Sequence, residues 1–307
     1  MAVSASEASI TLRPVQSEPS QSGAAYLLAA PGAFALLTLF LGPALAVFGI
    51  ALTDWELGAD RLAFVGLANF HTLLVDPVFL ASAKNTVVYA LVVVPTSVIL
   101  GLTVALLIDS GRSLRAFYRA VHFLPVMATM AAMAIAWEAL LHPTIGVVTQ
   151  FLAWCGVPPL NWLRNEHTVL FALAAIGVWQ NFGYAMVLFL AGLKMIPQDL
   201  YEAAAVDGAD ATLDRLRTVT LPLLGPTLMF VSIVVTLRSL EVFDTVSILT
   251  RGGPGTSSEV LLYTLYTESF LYLQTGYGAA ITVVFLLGVM ALTLVQARTM
   301  DRRVHYT

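Results

Sequence analysis

Charge is scarce in this sequence. Of its 307 residues only 11% are Asp, Glu, Lys or Arg, while 58% are hydrophobic, and the mean hydropathy is +0.83. Soluble domains carry about 25% charged residues. The deficit argues against a water-soluble domain and for a polytopic membrane protein. Cysteine is reduced to Cys155 alone, which excludes an intramolecular disulfide and any multi-cysteine metal site. The formal net charge of −4 is small and gives no reason to invoke nucleic acid. No Gly-x-x-x-x-Gly-Lys-Ser/Thr loop is present to cradle a phosphate. The five histidines, His71, His122, His142, His167 and His305, include no His-x-x-x-His metal pair. No catalytic or metal-ligating residue is assigned, and the chain is expected to do no covalent chemistry itself.

What is abundant is long apolar sequence. Six runs, at about 26–52, 85–108, 117–141, 168–193, 221–248 and 277–297, are long enough to cross a bilayer, which takes about 20 residues of helix. Lipid cannot satisfy open backbone groups, so helices are the expected spanning form and the fold class is all-α. Residues 1–25 read as a flexible tail outside the membrane-embedded body at 26–298, and 299–307 as a second tail. The first run is too long for a signal peptide, and Arg13 is the sole basic residue before it. With the N-terminus inside, the inner connections hold Arg13, Arg112, Arg115, Arg119, Lys194, Arg215, Arg217, Arg298, Arg302 and Arg303. The outer ones hold Arg61, Lys84, Arg164 and Arg251. Ten against four predicts an N-in, C-in topology.

One stretch of the second half cannot lie in lipid. Residues 198–220 carry Asp199, Glu202, Asp207, Asp210, Asp214, Arg215 and Arg217 between two apolar runs. The Ala-rich part to Asp207 suits a short helix. Gly208 allows a turn through positive φ, 209–220 reads as a second short helix, and Leu221-Pro222 opens the next apolar run with proline in its first turn. The charge bias places this helix–Gly–helix lug on the inner side.

Glu202-Ala203-Ala204, Asp207-Gly208-Ala209 and Leu221-Pro222 resemble the EAA loop of the permease subunits of bacterial ABC importers. Gly66-Leu67-Ala68-Asn69-Phe70, Asn85-Thr86, Phe123-Leu124-Pro125, Trp137, Phe243-Asp244, Leu249-Thr250 and Gly252-Gly253-Pro254 extend the resemblance over almost the whole chain. They are similar to the maltose-type carbohydrate importers, and more closely to the shorter first permease of the sugar and glycerol-phosphate branch. Arg251 stands where that pattern usually has another glycine. The resemblance implies a coupling loop (Glu202, Ala203, Ala204, Asp207, Gly208, Leu221, Pro222) docked on a cytoplasmic ATPase. It implies that ATP and Mg bind to that ATPase and not to this chain, which has no cofactor of its own. It further implies two ATPase subunits, a second permease subunit that is a different protein, and a periplasmic or lipid-anchored solute-binding protein docked near Gly252, Gly253 and Pro254. A bacterial inner-membrane location and a sugar-like cargo follow from the same likeness. The alternative class is an ion-coupled secondary transporter, which would lack the lug and would often show inverted repeats.

The apolar runs also contain polar groups. Arg238, Glu241 and Asp244 lie inside the fifth, where ionisable groups cost at least about 2.5–3.5 kcal/mol each and usually face a cavity or each other. In an unbroken helix Arg238, Glu241 and Thr245 share one face. The fourth run offers Gln180, Asn181 and Tyr184 at a similar depth. The resemblance implies that solute is held between these two runs. Two readings stay open: solute contact, or an internal Arg238–Glu241 ion pair with the amides bonding helix to helix. Arg238 makes an anionic or polyhydroxylated solute plausible, unless Glu241 cancels its charge.

Overall fold

The computed structural model describes residues 22–111, 115–158, 160–209 and 211–301. Most of both tails, together with residues 112–114, Pro159 and Asp210, lies outside the described residues. The chain divides into two units at Ala46/Val47. The described part of the first comprises α1 (Ser22–Leu36), a π-helical turn (Leu37–Leu41) and the start of α2 (Gly42–Ile50).

The second unit is also helical. In order come α3 (Ala68–Leu73), α4 (Pro77–Ser110), α5 (Arg115–Met127), α6 (Met130–Leu140), α7 (Val147–Trp154) and α8 (Val169–Lys194). Then follow α9 (Gln198–Val206), α10 (Thr212–Arg215), α11 (Leu221–Leu223), α12 (Gly225–Leu240), α13 (Leu261–Tyr266) and α14 (Thr275–Asp301). Further π-helical turns occupy Leu216–Thr220, Val246–Thr250 and Thr267–Leu271. Among the described residues there is no strand, only an isolated bridge between Thr53 and Phe64.

Four helices are long and apolar enough to cross a membrane, or up to six if each of two bent pairs is one span. The bends depart from the runs expected of the sequence. The third run is α5 and α6, which meet at 102°. The fifth is broken twice. It turns by 70° at Leu224, where Gly225-Pro226 restarts the helix, and it unwinds after Leu240. Glu241 to Phe243 are therefore not helical, and the single-face register of Arg238, Glu241 and Thr245 does not exist. The second run starts eight residues early, at Pro77 instead of 85. Asp76 accepts a hydrogen bond from Val78 N at 2.9 Å and Pro77 follows it, a start signal of acceptor cap and first-turn proline.

Helix α8 is the hub. Three of its glycines meet three different neighbours with no room for a methyl group. A Cβ on Gly177 would lie 2.1 Å from Tyr89 Oη of α4, on Gly183 2.1 Å from the His122 carbonyl of α5, and on Gly192 2.6 Å from Thr227 Oγ1 of α12. Gly101 of α4 repeats the device against Ala185 at 2.7 Å. Between helices in lipid, close approach through small residues supplies the dispersion contact that water-driven burial cannot. Around these contacts Phe189, Met186, Leu173 and Ile176 of α8 are buried with Val93 of α4 and Val231 and Val235 of α12.

Candidate functional site

The lug between α8 and α12 is built by local chemistry. Helix α9 runs through Glu202-Ala203-Ala204 to Val206. Asp207 is its C-cap and Gly208 follows with φ 91°. Gly208 N donates to the Ala205 carbonyl at 3.2 Å and Ala209 N to the Ala204 carbonyl at 2.9 Å. This pair of reverse bonds is a Schellman motif, which consumes the carbonyls a helix end leaves open and needs a left-handed residue at the glycine position. The Glu-Ala-Ala and Asp-Gly-Ala groups are thus two parts of one helix stop. Tyr201 Oη lies 3.1 Å from Thr220 Oγ1 and Arg215 Nε donates to the Ala209 carbonyl at 3.1 Å, tying both arms together. Leu221 and Pro222 do not open the apolar helix as expected: helix runs on through them to Leu223, and the apolar helix α12 starts after the turn at Leu224, with Gly225-Pro226. Glu202, Ala203, Asp207 and Gly208 are exposed, and Val206 at the tip is 88% exposed.

A cleft of about 180 Å³ lies where α8 faces the unwound end of α12. Counting from Val169, Asn181 is the thirteenth of the 26 residues in α8, so the cleft sits half-way along the bundle's central helix. Gln180, Asn181, Arg238, Glu241 and Asp244 line it together. The break after Leu240 does not scatter the expected polar group; it turns Glu241 and Asp244 toward the same space. Arg238 is held from two sides. Its Nε donates to Asn181 Oδ1 at 3.1 Å, and its guanidinium carbon sits 4.8 Å from the centre of the Tyr184 ring, a cation–π distance. Asn181 Nδ2 in turn donates to the Gly177 carbonyl at 2.9 Å. Among the described residues no ion pair joins Arg238 to Glu241 or Asp244, so the internal-pair reading does not hold.

Tyr89, Met130, Val242, Phe243 and Thr245 complete the lining. Sequence reasoning passed over Tyr89 and Met130, because a tyrosine or methionine in an apolar run looks like packing. The signal that was available is the pairing of Tyr89 with Gly177, but it requires the helix register to be known.

At the far end of the bundle from the lug, Gly252-Gly253-Pro254 forms a tight loop. Gly252 has φ 80° and is buried against Glu259; Gly253 and Pro254 are half-buried. The exposed residues here are Arg251, Gly255 and Thr256. Asn85 Nδ2 donates to the Thr256 and Glu259 carbonyls at 2.8 and 2.9 Å, and Thr86 Oγ1 accepts from Leu261 N at 2.9 Å. The Asn85-Thr86 pair therefore moors this loop to α4. Asn69 does the same for the first loop, donating to the Ala51 and Thr53 carbonyls at 2.9 and 2.8 Å. Burial raises the Glu259 carboxyl above its usual pKa, and burial together with the nearby Asp76 charge raises that of Glu268. Among the described residues no group of His, Cys, Asp or Glu could hold a metal ion.

Comparison with known proteins places these features in context. Residues 79–306 match the family described as binding-protein-dependent transport system inner membrane component. The chain is 33% identical over 283 residues to the sn-glycerol-3-phosphate transport system permease protein UgpA of Agrobacterium fabrum, covering 92% of this chain and 96% of that one. It is 34% identical over 273 residues to the trehalose/maltose transport system permease protein MalF of Thermococcus litoralis, covering 88% and 91%. A chain of the crystal structure of a bacterial alginate ABC transporter, in complex with alginate pentasaccharide-bound periplasmic protein, superposes with a TM-score of 0.78 at 21% identity, over 92% of this chain and 95% of that one; at that identity the likeness concerns the fold. With three-quarters of its length matched by the family and relatives of this similarity, the chain belongs to the binding-protein-dependent transport system inner membrane components and is a permease subunit of that ABC importer class.

Proposed function

We propose that this permease crosses the inner membrane six times, with both termini inside, and forms half of the pathway for a sugar-like solute. The lug at 198–220 docks on an ATPase, two copies of which supply ATP hydrolysis, and a second permease supplies the facing half of the pathway. A solute-binding protein delivers cargo at the 251–256 loop. One observation carries the reading: the lug is inserted directly between α8 and α12, and those two helices supply Gln180, Asn181 and Arg238 to the central cleft. Motion received at the lug would reach the cleft walls through short turns alone, residues 195–197 on one side and Leu224 on the other. Closure of the ATPases would then shift the opening of the cleft from one side to the other, a rigid-body change of a bistable interface. The carbohydrate class draws support from UgpA and MalF, whose names state glycerol phosphate and trehalose or maltose.

The test is Gly208→Val in the assembled transporter. The protein is expected to insert and to hold solute-binding protein, but to lose co-purification with the ATPase and ATP-dependent uptake. Normal uptake by that variant would refute docking at the lug.

A further inference from the structure

We infer that the cleft is an oxyanion subsite: the solute that passes it bears a carboxylate or phosphate, bound edge-on by Arg238, and hydroxyls that face Glu241 and Asp244. This rests on the reading of the cleft as part of the pathway and names the class of solute.

The argument begins with the arginine's remaining hydrogen-bonding edge. The Asn181 amide is oriented by its own bond, since Nδ2 donates to the Gly177 carbonyl and leaves Oδ1 as the acceptor. Oδ1 takes Arg238 Nε, and the Tyr184 ring lies over the guanidinium. One edge and one face are therefore used. The terminal edge, with its two parallel N–H groups, has no partner among the described residues, and Arg238 lines the cleft. That edge matches the two oxygens of a carboxylate or phosphate, a pairing a lysine cannot reproduce.

The two carboxylates could have consumed this charge, and the backbone prevents it. The helix ends at Leu240, so Glu241 is the C-cap at φ −82°, ψ 16° and not the next helical position. Both Glu241 and Asp244 are exposed at the cleft, and neither is paired with Arg238. A cation fixed in place beside two free carboxylates suits a solute with an anionic group at one end and hydrogen-bond donors at the other. A neutral polyol would engage the carboxylates and leave the arginine edge empty. A solute bearing only anions would be repelled by the carboxylates.

The experiment uses the chain's cysteine poverty. In the assembled transporter with Cys155→Ser, Gln180→Cys is alkylated with a neutral maleimide and mass gain is read on this chain. Glucuronate, inorganic phosphate and glucose are added separately. At an anion concentration of about twice its Kd, occupancy slows alkylation about threefold. Glucuronate is expected to slow it, phosphate to slow it less and glucose not at all; Arg238→Gln is expected to abolish the protection while Arg238→Lys keeps a part of it. Equal protection by glucose, no protection by either anion, or full protection surviving in Arg238→Gln would overturn the inference. If Gln180→Cys is not alkylated from either side of the membrane, the cleft is not a water-filled pathway. The reading beneath the inference then fails first, and the two failures are told apart.

Discussion

Gly208 illustrates how one residue can be required for its backbone alone. Nothing lies within 4 Å of a Cβ built there, so space is not the constraint. The left-handed φ of 91° costs a non-glycine residue roughly 1–2 kcal/mol. Asparagine visits this region far more readily than a β-branched residue. Gly208→Asn is therefore expected to keep most ATP-dependent uptake where Gly208→Val loses it, measured side by side in the reconstituted transporter. Much of this was legible in the sequence, since a glycine two residues past the end of an alanine-rich helix is a recognisable stop. The bond from Arg238 to Asn181 was not. Residues 57 positions apart meet only through the packing of α8 on α12, and no local pattern encodes that meeting.

Among the elements, α8 and the 251–274 segment make separate predictions. A methyl group on Gly183 would meet the backbone carbonyl of His122, and backbone cannot rotate aside as a side chain does. Overpacking of this kind costs typically 1–3 kcal/mol. Gly183→Ala is expected to lower the thermal midpoint of the detergent-solubilised transporter, whereas Gly32→Ala, inside α1 with nothing within 4 Å, is expected not to lower it. The 251–274 segment should respond to pH. The folded chain raises the Glu259 and Glu268 carboxyls above the ordinary value of 4.5, so through that window it binds more protons than the unfolded chain. Its stability is then greatest below that value and falls as pH rises through the raised range. Hydrogen exchange of 252–274, corrected for intrinsic rates, is expected to show stronger protection at about pH 5 than at pH 8. The sequence disclosed the apolar runs but not their breaks. Composition averages over a run, and the turn at Leu224 and the unwinding at Glu241 depend on a few residues with locally ordinary composition. The one available clue was length: a 28-residue run holding Gly225-Pro226 and three charges is poorly suited to a single straight span.

For the whole molecule, topology decides whether the lug can be gripped. With Cys155→Ser and Val206→Cys, an impermeant thiol reagent is expected to label the tip in inside-out vesicles and not in intact cells, and docked ATPase is expected to block it. Labelling from the outer side would place the lug beyond reach of any cytoplasmic motor. The glycines of α8 carry a mechanical consequence as well. A shaft keyed to α4, α5 and α12 at three heights cannot spin in its socket without striking Tyr89, the His122 carbonyl or Thr227. Those four helices are therefore expected to move as a block when the transporter changes state.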